Sequence, residues 1–123
     1  MAAESVNDFE GDWSVVGGRL GGASIPLPET TLSICADAYV VTSETGRDTG
    51  KLVWGDADGP LTVDLIGTTG AHAGNTIKAI ARVRGDVMQL CYTVDGSARP
   101  DGFDVASGTP VVTVRYRRVR ANA

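Results

Sequence analysis

"TIKAIARVRGDVMQLCYTV", residues 76–94, is the stretch on which the fold turns. Its second half places Met88, Leu90, Tyr92 and Val94 on one side and Gln89, Cys91 and Thr93 on the other, the two-residue period of a strand rather than the 3.6 of a helix. The first half, residues 76–84, is a second β-like run, and the "RGD" between them is a hairpin-length link of residues that tolerate unusual backbone angles. The stretch therefore predicts two antiparallel neighbours sharing one dry face.

Outward from there the pattern repeats. In "LTVDL" (61–65) Leu61, Val63 and Leu65 oppose Thr62 and Asp64, and in "VTVRYRR" (112–118) Val112, Val114 and Tyr116 oppose Thr113, Arg115 and Arg117. Strands are predicted at 11–20, 31–36, 39–43, 50–54, 61–66, 76–84, 87–94 and 110–118, with no sustained helical period anywhere. "ADA" makes another tight joint between the second and third strands. "SETGRDTG" (43–50), "GDADGP" (55–60) and "GTTGAHAGN" (67–75) read as longer polar loops, and the proline-rich "ASIPLPETT" (23–31) as a link holding a short helical turn or a lid. Eight such strands without covering helices stack as two sheets or close on themselves, and closure removes the edges that recruit other chains. The expected fold is all-β, an eight-stranded antiparallel up-and-down barrel over residues 9–120 behind a tail at 1–8, and 123 residues suffice for one such core but not two.

Charge and termini narrow the partners. A net charge of −4 disfavours phosphate backbones, so nucleic acid is not expected. "MAAESVNDFEGDW" has no basic region followed by an apolar one, and no window approaches the ~18 apolar residues of a membrane span, so a cytoplasmic protein without membrane insertion is expected. Cys35 and Cys91 lie in strand-like runs without metal spacing, where a lone cysteine acts as a small buried hydrophobe; a disulfide would need neighbouring strands of suitable geometry and is not favoured without a secretory signal. Oligomeric state is open, a homodimer included.

Candidate chemistry is sparse. His72, the single histidine, sits between small residues on a loop tip and reads as exposed. Asp64 opposes the apolar face of its strand and reads as a solvated carboxylate. In "ARPDGFD" (98–104), Arg99, Asp101 and Asp104 have no catalytic partner in view. Pro-Asp-Gly is itself a turn signal, so shaping the link is the favoured role and reaching over a barrel mouth as polar anchors, by Arg99 or Asp104, the sharper one. The basic "RYRRVR" (115–120) alternates with apolar residues and reads as the outer face of the last strand. No phosphate loop or zinc spacing is present and no cofactor is expected.

The aromatic residues carry more. Tyr39, Trp54, Tyr92 and Tyr116 fall on four different strands, each with an apolar neighbour two positions away, so with Leu52, Ala81, Met88 and Leu90 they can line one pocket. A barrel of eight strands is wide enough to be filled by its own side chains or to hold one small ligand, and small inward residues such as Ala79 and Ala81 favour space.

The ordered motifs "GDWSVV" (11–16), "TVDL" (62–65), "GDVMQLCY" (85–92), "ARPDGFDVASG" (98–108) and "VVTVRYRR" (111–118) resemble a bacterial lipocalin-like, calycin-type domain family of largely unknown function. That resemblance covers about residues 9–118. It implies that Trp13 packs at the closed end under a late arginine, Arg117 or Arg118, and it supplies no catalytic residues. It expects an aromatic where this chain has Ala81. The functional expectation is a barrel that binds an apolar or amphipathic small molecule in its interior. The alternatives are a cofactor-free cyclase or isomerase of secondary metabolism acting on a polyene- or polyketide-type intermediate, and a structural domain with a filled core.

Overall fold

The computed structural model describes residues 6–27, 29–44, 46–55, 61–70, 73–94, 98–100, 102–103 and 108–119. A one-turn 3-10 helix (Val6–Phe9) precedes nine strands: β1 (Gly11–Leu20), β2 (Ala23–Ile25), β3 (Thr30–Cys35), β4 (Ala38–Ser43), β5 (Gly46–Trp54), β6 (Leu61–Thr69), β7 (Thr76–Arg84), β8 (Val87–Thr93) and β9 (Val111–Arg118). From β3 to β9 each strand pairs antiparallel with the next, and β1 joins β3 on one side and β9 on the other. The sheet is thus an eight-stranded antiparallel barrel with no free long edge, as the alternation and tight turns predict.

The ninth strand is a local addition. Pairing of β3 with β1 covers only Gly11 to Ser14, and β2 folds back to pair with Gly18, Arg19 and Leu20. Residues 23–25 are therefore strand where the link suggested a short helical turn, because the Gly21-Gly22 turn, both with positive φ, returns the chain straight onto the β1 segment that β3 leaves unpaired. Beyond it Leu27 lies over Gly18, so closely that a Cβ on Gly18 would overlap it.

Other differences are of extent. β5 begins at Gly46, so the loop expected over 43–50 is a tight turn with Ser43 opposite Gly46. β8 ends at Thr93, and Val94 is exposed rather than on the dry face.

The inward set is the apolar half of each alternation. Trp13, Leu32, Ile34, Leu52, Val63 and Met88 are among the buried members of one cluster spanning every long strand. Each fully buried aliphatic or aromatic side chain contributes about 1.5–3 kcal/mol relative to exposure.

Candidate functional site

The eight side chains expected to line a pocket share the barrel interior. Tyr39, Leu52, Ala81, Met88, Leu90 and Tyr116 are buried in the core cluster, and Trp54 and Tyr92 are half-buried against it. The void that remains is ≈ 10 Å³, lined by apolar side chains of β3, β5, β6, β7 and β8 and by Phe9. That is about the least that admits a single water. Ala81 points inward, but the room its small side chain concedes is taken by larger neighbours around the same void, among them Met88, Leu90, Trp54 and Phe9.

Phe9 was not legible as a site residue. It precedes the first alternating run, and only the path of the 3-10 helix brings it under the barrel end, fully buried, its ring centroid 4.9 Å from that of Trp54. Hydrogen bonds from Trp13 and Arg118 hold that helix and the residue after it. The Trp13 indole Nε1 donates to the Phe9 carbonyl at 2.9 Å, and Arg118 donates to the carbonyls of Asp8 (2.9 Å) and Glu10 (3.0 Å). The Arg118 guanidinium also lies 4.3 Å from the Trp13 ring centroid, a cation–π arrangement. Of the two arginines offered for this end, Arg118 is the one that closes it, because strand alternation turns Arg117 outward.

One polar atom inside is anomalous. Trp54 Nε1 is buried and has no hydrogen-bond partner among the described residues. An unmet buried donor costs about 1–3 kcal/mol. In the tyrosines burial acts on the charged form. Burial, and in second place the neighbouring Tyr92, pushes the Tyr116 phenol far above its usual value near 10; burial alone raises Tyr92, and burial followed by nearby Asp48 raises Tyr39. All three are neutral at physiological pH.

Arg99 lies on the outer wall rather than over the mouth. Its Nη1 donates to the carbonyls of Ala79 (2.8 Å) and Val63 (3.4 Å), and its Nη2 meets Asp64 Oδ1 at 2.6 Å, both side chains 29% exposed. Asp64 faces outward, as its alternation requires, but it is ion-paired rather than merely solvated. The described residues around Arg99, 98–100 and 102–103, form a strap on the outside of the barrel. Gly102 brings its carbonyl to 3.9 Å from Cys91 Sγ, and Phe103 lies against Arg82 with the guanidinium 4.2 Å from its ring centroid. Cys91 and Ile80, outward-facing on β8 and β7, are consequently buried. Cys91 and Cys35 are both unpaired thiols, the first buried and the second exposed. His72, Asp101 and Asp104 lie outside the described residues.

Fold and interior together define a class: a small closed antiparallel barrel, plugged at one end, whose filled apolar interior holds, among the described residues, one unsatisfied donor. Comparison of the chain with protein-family models, with curated proteins and with solved structures gives no match. No helix among the described residues is long and apolar enough to cross a membrane.

Proposed function

We propose that this barrel is a lipocalin-like, calycin-type binder of an apolar or amphipathic small molecule, taken into the interior where Phe9 now sits. The observation that carries the reading is the orphan Trp54 Nε1 beside the residual void. A water there would have that single polar partner, whereas buried waters ordinarily make two to four hydrogen bonds. A carbonyl or ether oxygen on an otherwise apolar molecule satisfies the donor without needing the others.

Space is the second requirement. Every described residue lining the void sits on a paired strand except Phe9, so among them Phe9 is the side chain that can leave without breaking a ladder. Its withdrawal costs about 2–3 kcal/mol of apolar burial, which a guest of similar or greater apolar area offsets. The ligand then meets Trp54, Leu52, Ala81, Met88 and Leu90 directly, with Tyr39, Tyr92 and Tyr116 completing the walls.

The test uses acetophenone and ethylbenzene, alike in shape and different in one acceptor. Phe9→Ala should bind both, acetophenone about tenfold more tightly, as one hydrogen bond of ~1.4 kcal/mol gives. Adding Trp54→Phe should remove the preference while retaining binding. A folded Phe9→Ala protein that takes up neither compound overturns the reading, and for the wild type mass spectrometry of the purified protein should reveal a retained apolar compound.

A further inference from the structure

The outer wall formed by β7, β8, β9 and β1 carries a groove of ≈ 710 Å³, within the ~300–1,000 Å³ typical of small-molecule sites. Four guanidinium groups line it, from Arg19, Arg82, Arg115 and Arg117, and no acidic residue is among the described residues that do so. This concentration occurs in a chain whose net charge is −4.

Strand register produces the arrangement. Across the wall Arg82 stands opposite Gln89, Gln89 opposite Arg115, and Arg115 opposite Gly17; one step along β9, Arg117 stands opposite Val87. Arg115 and Arg117 are two apart on one strand face, so their Cα atoms are about 6.5–7 Å apart. The β1 irregularity between Val15 and Gly17 sets a glycine opposite Arg115, and a Cβ there would meet nothing within 4 Å, which leaves the space beside Arg115 open. Arg82 is held in place, its Nε donating to Gln89 Oε1 at 2.5 Å and its plane resting on Phe103.

The other groove arginines have no carboxylate partner among the described residues. Arg99 and Arg118 each face a carboxylate, whereas Arg19, Arg115 and Arg117 have no ion-pair partner among the described residues. Like charges gathered on one face repel, and an anion between them reverses the sign of that interaction. A carboxylate has oxygens for one guanidinium fork; a tetrahedral phosphoryl group can accept from several at once. Val16, 52% exposed, and Val87 add an apolar border.

We propose that this groove binds a small organic phosphate, its phosphoryl group between Arg115 and Arg117 within reach of Arg82 and Arg19, its carbon skeleton over Val16 and Val87. The site is on the opposite side of the wall from the barrel interior and independent of it.

Amide NMR titration with 1-naphthyl phosphate, with 1-naphthol as neutral counterpart, tests it. The phosphate should shift Gly17, Arg115 and Arg117 saturably, and binding should weaken with added salt. Arg115→Gln combined with Arg117→Gln should weaken it about tenfold or more. Arg84→Gln, on β7 outside the groove, and Phe9→Ala should both bind as the wild type does, which separates this site from the interior one. Unchanged binding in the folded double variant, or equal binding of 1-naphthol, overturns the proposal. Sedimentation with phosphatidylcholine vesicles containing phosphatidic acid assigns the source: retention lost in the double variant identifies a lipid headgroup, and soluble binding without retention identifies a free phosphate ester. Oligonucleotide binding without a saturable response to 1-naphthyl phosphate overturns it in favour of nucleic acid.

Discussion

Tyr92 and Tyr116 show how the interior acts on single residues. The barrel disfavours their phenolate forms, so each binds its proton more tightly folded than unfolded. A folded pKa raised above the unfolded value near 10 means that the contribution is fully present below about pH 10. It is lost as pH climbs from there through the folded value, because the unfolded chain releases protons that the native state retains. The thermal unfolding midpoint should therefore be flat across neutral pH as far as these groups are concerned, then fall steeply above about pH 10. Absorbance of tyrosinate near the same pH should lag behind that of a tyrosine peptide. Gly50 makes a different demand at the same scale: a Cβ there would overlap both the Tyr39 ring and the Ile66 carbonyl. Gly50→Ala should cost about 1–3 kcal/mol by overpacking, because backbone cannot yield. Gly18→Ala, whose overlap is with the flexible Leu27 side chain and whose contact with Ile25 is ordinary, should cost distinctly less in the same thermal melts.

Among the elements, the segment between β8 and β9 changes meaning most between sequence and structure. Read along the chain, "ARPDGF" is a turn or an active-site loop. In space its described residues form an external strap whose clasp is Arg99 on Asp64 and on two backbone carbonyls of β6 and β7. Removing the clasp should loosen the cover over Cys91. Wild-type protein should show one fast thiol toward Ellman's reagent, the exposed Cys35, and Arg99→Ala should show two while keeping its β circular dichroism. Strand identity, by contrast, was readable element by element, since β6, β8 and β9 show a two-residue period and the joint between β7 and β8 is a tight turn. β2 escaped because three residues are too few to display a period, and its existence depends on an unpaired stretch of β1.

For the whole molecule, the decisive joint is between the two ends of the chain. β9 pairs with β1 from Trp13 opposite Arg118 to Leu20 opposite Val112. Arg118 adds hydrogen bonds to residues 108 and 110 positions away. Arg118→Ala should lower unfolding stability by about 2–3 kcal/mol in denaturant titration, through the lost charge-assisted bonds and cation–π contact. Arg118→Lys should recover only a minor part, because an ammonium cannot span two carbonyls and a ring face as a planar fork does.

The amino-acid order alone specified period-two runs, their tight joints and hence an antiparallel all-β fold with a known inward set, because backbone pleating converts neighbouring residues into opposite faces without help from distant ones. Whether that inward set encloses a hollow was decided only in three dimensions. Side-chain volumes from eight strands and one helical turn must be summed over the same space, and Phe9 enters that sum from outside any alternating run. The grouping of four arginines was decided there too, since it depends on register between the first and last strands, which local periodicity does not encode.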